Sequence, residues 1–237
     1  MTRLTRRQFL VTFPFFWRPR FVTLAGIHFE VIRRGRSPYR YLVIHASEDT
    51  ARQVLRAQMK TSPGTAYLAT GTERTVRVAG AAADPNRIFS RQGAEANLRR
   101  LNPALAPGQL QAVLARLDRN REKLVRALLP TPGGLLVALH NNSQGYSVLD
   151  EVPISDQVAL NDSAHPHDFF LCTQRPDFER LARSPYNMVL QNLAPKEDDG
   201  SLSRLAARRG LRYVNIEAAH GNFQKQSEML DWLTAKA

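Results

Sequence analysis

The sequence predicts a single-domain α/β fold, an α/β/α sandwich around a mixed, mostly parallel central sheet. Three observations carry this expectation. Short apolar runs of strand length alternate with amphipathic helical segments along the whole chain, and strands separated by helices favour parallel pairing with both sheet faces covered. The clearest helix, Pro107–Leu128, places Leu110, Val113, Leu114, Leu117, Leu124, Val125 and Leu128 on one apolar stripe. Finally, 237 residues with 43% apolar and 23% charged side chains suffice for one sizeable core, and no linker, low-complexity tract or internal repeat divides it.

Taken in order, residues 1–20 form a basic N-terminal arm, and the domain proper occupies 21–237. Residues 21–32 (FVTLAGIHFEVI) predict a strand pair or one long strand with Gly26 as a bend. Residues 33–40, with Gly35 and Pro38, are a turn. The continuous apolar run at 41–45 (YLVIH) predicts a short strand buried on both faces. A helix is expected at 48–60, with Ala51, Val54, Leu55 and Met59 on one face, and strands at 66–69 and 75–79. A polar loop at 80–95 then leads to a helix at 94–101. Pro130 and Pro132 stop the long helix. The second half repeats the alternation, with strands at 135–140, 168–173, 187–193 and 212–218 and helices at 176–183, 201–209 and 222–235.

The formal net charge is +12, and five arginines without an acid in residues 1–20 leave +7 on the remainder. Such a balance favours anionic partners, or serves solubility as a basic solvated surface. Cys172 is the only cysteine, which excludes an intrachain disulfide and a cysteine zinc knuckle. The stretch Thr5-Arg6-Arg7-Gln8-Phe9-Leu10 resembles a twin-arginine export signal. Against that reading, Pro14 breaks the apolar run and no small-x-small cleavage site follows, so the segment reads equally as a basic aromatic arm. Export would make the protein periplasmic or secreted; without it the protein is cytoplasmic. No segment approaches the ~20 apolar residues of a membrane-spanning helix.

Three apolar strands end in chemically capable residues: 41–45 in His45, 135–140 in His140, and 212–218 in the region of Glu217. Ligands of open α/β sheets collect at the carboxyl edge of the strands, so these side chains are expected to converge. His45 and Glu48, three apart at a strand-to-helix turn, can face one point, and His140 on another strand completes a set of donors suited to zinc. Glu217 is then the candidate general base.

The ordered set His45-Ala-Ser-Glu48, Asp84-Pro-Asn86-Arg87-Ile-Phe89, His140 and Ile216-Glu217 resembles the zinc carboxypeptidases of the carboxypeptidase A type, with their desuccinylase and aspartoacylase-like deacylase relatives. The resemblance implies that fold, a Zn2+ cofactor held by His45, Glu48 and His140, and activation of water by Glu217. It implies that Asn86 and Arg87 hold the substrate's free carboxylate, which suits the bidentate fork of a guanidinium. It also implies an arginine for the developing oxyanion, for which Arg74 and Arg77 are the candidates, and a cleft tyrosine, for which Tyr146 and Tyr186 are. The implied substrate is a peptide or N-acyl amino acid with a free carboxylate, a cell-wall peptide if the chain is exported. Whether the bond cut is a peptide or an acyl amide stays open. The chain is short for this family.

Other readings of the same residues compete. His45 and His140 could be core histidines satisfied by backbone groups, and Asp84 could pair locally with Arg87. His165 and His167, with Asp162 and Asp168, read as a polar loop before a strand rather than a second metal site. His220 either bonds within the site or opens a helix, and Asn141, Asn142, Ser143 and Gln144 read as a polar loop bordering the pocket. No Gly-x-Ser-x-Gly elbow, phosphate loop or dinucleotide fingerprint occurs. The arginines carry no nucleic-acid reading motif, so a nucleic-acid-binding role rests on net charge alone.

Overall fold

The computed structural model describes residues 20–143, 145–193 and 198–235. The stretch read as an export signal or arm, apart from Arg20, and Gln144 lie outside the described residues.

Strands β1 (Arg20–Leu24) and β2 (Ile27–Arg34) are a hairpin, not one long strand. Its two turn residues, Ala25 and Gly26, both take positive φ (51° and 88°), as a tight two-residue hairpin turn requires. Then come β3 (Tyr39–Val43), α1 (Asp49–Thr61) and β4 (Gly64–Ala69), a parallel β-α-β unit. The region read as a plain loop at 80–95 carries more structure: β6 (Ala81–Ala83) pairs with β5 (Val76–Val78), and a 3-10 turn spans Pro85–Arg87. Helices α2 (Arg91–Leu101) and α3 (Pro107–Leu128) follow, then β7 (Leu135–Asn142). The short helix α4 (Val148–Glu151) and the edge strand β8 (Gln157–Ala159) have too few residues to show a periodicity, and the sequence did not reveal them. The chain closes with β9 (Phe169–Cys172), α5 (Arg175–Leu181), β10 (Asn187–Leu190), α6 (Leu202–Arg208), β11 (Tyr213–Ala219) and α7 (Phe223–Ala235).

Nine strands form one mixed sheet in the order β1-β2-β4-β3-β7-β11-β9-β10-β8. Its centre, β4-β3-β7-β11, is parallel throughout. Burial on both faces explains the near-continuous apolar runs: all eight residues of β7 are buried. One face packs against α2, α3 and α6, the other against α1, α5 and α7. The α3 stripe is buried as its period implies, and each such side chain stabilises the fold by roughly 1.5–3 kcal/mol. No helix among the described residues is long and apolar enough to cross a membrane.

Two glycines let the backbone of α2 meet the segment entering α6. Gly93 in α2 lies against Gly200, where an added Cβ would sit 2.2 Å from the Gly200 nitrogen, and Gly200 itself holds φ +77° with its own Cβ position 2.3 Å from the Arg87 carbonyl oxygen. Phe89 N donates to Gly200 O at 2.9 Å. These contacts dock the segment onto the Asn86–Arg87 turn. Gly→Ala inside a helix ordinarily stabilises by about 1 kcal/mol. Gly93→Ala is expected to do the opposite and destabilise by about 1–3 kcal/mol through the overpacked contact, measured as a fall in urea midpoint.

Candidate active site

Strands β3, β7 and β11 lie side by side and parallel, so their carboxyl ends share one edge. His140 on β7 and Glu217 on β11 are register partners. His45 lies just beyond β3, and Glu48 N donates to His45 O at 3.2 Å, closing the turn into α1. Glu48 is the N-cap of α1 but makes no side-chain cap bond, because its carboxylate turns toward the histidines instead. One donor atom each from His45, Glu48 and His140, all buried, lies within 4.8 Å of the others.

The protonation pattern of this cluster follows from its contacts. His45 Nδ1 is 2.8 Å from Glu48 Oε1, and its Nε2 is 2.8 Å from Asp84 Oδ1. Asp84 therefore pairs with His45, not with Arg87, whose partner is Asp199 at 3.7 Å. Burial alone would push the His45 imidazole down, but Glu48 and Asp84 outweigh it and raise His45 to about 9. Burial pushes Glu48 up, and the two imidazoles His140 and His45 overcome that and bring it down to about 2. Asp84, against its burial, is likewise held below the carboxylate range by His45 and Arg74. Glu217 goes the other way: burial raises it, although His140 opposes the shift.

The cluster fits a divalent metal ion. Two imidazole nitrogens and a carboxylate are the donor types zinc accepts. Glu48 Oε2 is buried with no hydrogen bond among the described residues and lies 3.2 Å from His140 Nδ1, so an ion between the two would satisfy it. Asp84 on the far nitrogen of His45 would fix the ring tautomer, leaving Nδ1 as the donor. Behind the donors runs a buried amide network: Ala51 N donates to Asn141 Oδ1 at 2.8 Å, Asn141 Nδ2 to Gln226 Oε1 at 3.0 Å, and Gln226 Nε2 to His140 O at 2.8 Å. It ties α1, which carries Glu48, and β7, which carries His140, to α7. Asn141 is thus part of the scaffold and not only of a pocket rim.

A cleft of about 530 Å³ opens beside the cluster. Asn86, Arg87, Tyr146 and Glu217 line it, as does Arg74, which reaches Glu48 Oε1 at 3.2 Å. Arg77 does not: it lies on β5, donates to Gly80 O at 3.1 Å and is absent from the cleft wall. Of the two arginine candidates the structure therefore brings Arg74 to the site. Asn86 Oδ1 accepts from Leu202 N, so its amide anchors α6 as well as facing the cleft. The Tyr146 hydroxyl donates to Glu151, and burial, with Glu217 and Glu151 nearby, raises its pKa. Tyr186 sits in the core on the opposite sheet face. His165 bonds Asp162 and His167 Nδ1 bonds Tyr146 O, so that loop braces the cleft wall, and among the described residues only the His45 group can hold a metal. His220 lines the cleft.

Two site residues escaped the sequence reading. Asn215, two positions before Glu217 on the same strand, donates to Glu217 Oε1 at 3.0 Å. Arg204 lines the cleft from α6, is only 7% exposed, and has no acceptor or carboxylate for its guanidinium among the described residues. An arginine within a helical stripe carries no mark of this in sequence; Asn215, a polar residue inside the run YVNIEA, did.

No protein-family model and no curated protein sequence matches the chain. Solved structures do. The ectoine utilization protein EutE (DoeB) of Ruegeria pomeroyi, in its apo form, matches with a TM-score of 0.49 at 15% identity, over 94% of this chain and 68% of that one. A succinylglutamate desuccinylase/aspartoacylase of Rhodobacter sphaeroides matches with a TM-score of 0.44 at 14% identity, over 89% and 58%. The N-formylglutamate amidohydrolase of Ralstonia eutropha JMP134 matches with a TM-score of 0.40 at 14% identity, over 88% and 96%.

The cluster makes stability depend on pH in a definite direction. A raised histidine contributes stability in full below its unfolded value of 6.5, and that is lost as pH rises toward about 9. Lowered Glu48 contributes above its ordinary 4.5 and loses it as pH falls toward about 2. Chelator-treated protein is therefore expected to show its highest Tm between about 4.5 and 6.5, falling on the alkaline side. Raised Glu217 contributes in the same direction, its share being present below its ordinary 4.5 and lost as pH rises above it. With saturating zinc the alkaline trend should reverse, because the donors bind metal deprotonated; calorimetry across pH with and without zinc checks both.

Proposed function

We propose that the protein is a zinc-dependent hydrolase of an amide bond next to a free carboxylate, with small N-acyl amino acids as its substrates. The observation that supports it best is the convergence of the His45, Glu48 and His140 donors within 4.8 Å, beside a buried glutamate at the same sheet edge. His45, Glu48 and His140 would hold the ion, with Asp84 orienting His45. When bound, zinc supplies Lewis-acid character that polarises a carbonyl and acidifies water.

The chain's own residues do the rest. Glu217 takes the proton of the attacking water and hands it to the leaving nitrogen; a carboxyl raised by burial is better matched to that two-way exchange near neutral pH than an ordinary one. Asn86 and Arg87 hold the substrate carboxylate. Arg74, half exposed at the cleft, supplies positive charge where oxyanion character develops. Tyr146, held by Glu151, bounds the cleft. Arg204 favours acyl amino acids over longer peptides. A guanidinium on a largely buried residue that lines the cleft, with no carboxylate beside it among the described residues, suits an anionic ligand group, and with Arg87 it offers two cationic sites within about 530 Å³. An amino acid with an acidic side chain supplies both anions.

Two experiments test this. Purified protein should carry about one zinc per chain and release free amino acid from N-acetyl-, N-formyl- or N-succinyl-glutamate and -aspartate, with activity lost to chelator and restored by zinc. Glu217→Gln should retain the metal and lose at least ~10³-fold in kcat; undiminished turnover by that variant removes Glu217 from its role. Preference for blocked peptides with a free C-terminus would instead favour the carboxypeptidase reading. Separately, Arg204→Gln should raise KM for N-acyl-glutamate about 10- to 100-fold, the ~1.5–3 kcal/mol of a charged hydrogen bond, with little change for N-acyl-glutamine. An equal effect on both would mean that Arg204 recognises no side-chain charge.

A further inference from the structure

We propose that Asn215 is a positioning residue for Glu217: it fixes one carboxylate oxygen, Oε1, so that Oε2 is the oxygen that exchanges the proton. This rests on the reading of Glu217 as the proton-transfer group. On β11, Val214, Ile216 and Ala218 face the core under α1, α5 and α7, whereas Tyr213, Asn215 and Glu217 line the cleft from the other face. The register neighbours of Asn215 are Ala138 on β7 and Leu171 on β9, both apolar and buried.

A buried amide between apolar neighbours is costly unless it is paired. Asn215 spends its Nδ2 on Glu217 Oε1 at 3.0 Å and leaves its Oδ1 buried with no partner among the described residues. A residue selected for packing alone would be apolar here. The hydrogen bond to Glu217 is what the amide adds.

The two Glu217 oxygens are consequently unlike. Among the described residues Oε2 has only Asn142 Nδ2, at 3.5 Å, a longer contact than the 3.0 Å bond at Oε1, while that amide's short bond goes to His167 O at 2.6 Å. Oε1 is held, while Oε2 is loosely bounded and available. In the reaction Oε2 accepts one proton from water as the water oxygen bonds to the amide carbon. It returns that proton to the nitrogen as the carbon–nitrogen bond breaks, so the carboxylate ends as it began. A fixed Oε1 keeps Oε2 in reach for both transfers, and geometric misplacement of about 1 Å costs on the order of 10²-fold in such steps.

The test uses zinc-loaded full-length protein, N-acetyl- and N-formyl-glutamate, and three variants. Asn215→Leu keeps the bulk and removes the donor; Asn215→Ala and Asn215→Val remove it with less bulk and cover the case in which the leucine variant does not fold. The expected result is a 10- to 100-fold fall in kcat with KM within twofold and zinc stoichiometry unchanged. Crystal structures, which need no turnover, should show one Glu217 carboxylate orientation in the wild type and a rotated or split one in Asn215→Ala. A folded Asn215 variant with wild-type kcat, or an unmoved Glu217 carboxylate in Asn215→Ala, overturns the proposal. Loss of the Glu217 role itself would show separately, as an active Glu217→Gln protein.

Discussion

The structure turns on one electrostatic constraint: two imidazoles and three carboxylates are buried together at a sheet edge. His45, Glu48, Asp84, His140 and Glu217 are all under 9% exposed. Charges taken out of water are tolerated only when paired and hydrogen-bonded, and losing one partner strands the others. Each member answers this differently. His45 is held at both nitrogens, Glu48 and Asp84 stay ionised against it, and Glu217 is pushed toward its neutral form. Even so, Glu48 Oε2 makes no hydrogen bond among the described residues and has only the His140 Nδ1, 3.2 Å away, beside it. A cation at the centre would neutralise the carboxylates and occupy this oxygen together with the imidazole nitrogens.

The surrounding fold is arranged to keep that cluster in place. Parallel strands β3, β7 and β11 bring their carboxyl ends to one edge without any loop having to reach, so His140 and Glu217 owe their proximity to register. Behind them, the Asn141–Gln226 network joins three elements through hydrogen-bonded amides. Such a network rigidifies because its donors already have their acceptors. In front, the Gly93–Gly200 contact and the Asn86–Leu202 bond pin α6 against the Asn86–Arg87 turn. One sheet face supplies rigidity and the other supplies the cleft.

Much of this was legible in sequence, for a physical reason. Buried parallel strands leave continuous apolar runs, and a long helix leaves a 3.6-residue stripe. Both survive without knowledge of neighbours, so β3, β7, β11 and α3 could be placed closely. The His45–Glu48 spacing could be read because local geometry alone carries it. What escaped depends on contacts distant in sequence. Asp84 looked like a partner for Arg87 three residues on, but the fold presents it to His45, 39 residues away. Arg74 and Arg77 differ in sequence only by position. The pairing of β5 with β6 turns one to Gly80 and leaves the other free to reach Glu48. A short element such as β8 exists only because it adds to the sheet's edge by pairing with β10.

Asp84, whose partner was misread, and the two residues that escaped, Asn215 and Arg204, share a property that bears on how the site would work. Each is less than 9% exposed and places a polar side chain where little solvent reaches it. Under the proposed function Asp84 would orient a metal donor and Asn215 the proton carrier, and Arg204, with no carboxylate for its guanidinium among the described residues, would take an anion. In water, none of these interactions would discriminate strongly, since a hydrogen bond to protein merely exchanges for one to solvent. In a largely buried cleft that exchange is curtailed, and a group of the wrong charge would leave a guanidinium unpaired. Under the proposed function selectivity would therefore come less from the number of contacts than from how few alternatives each buried polar group is left.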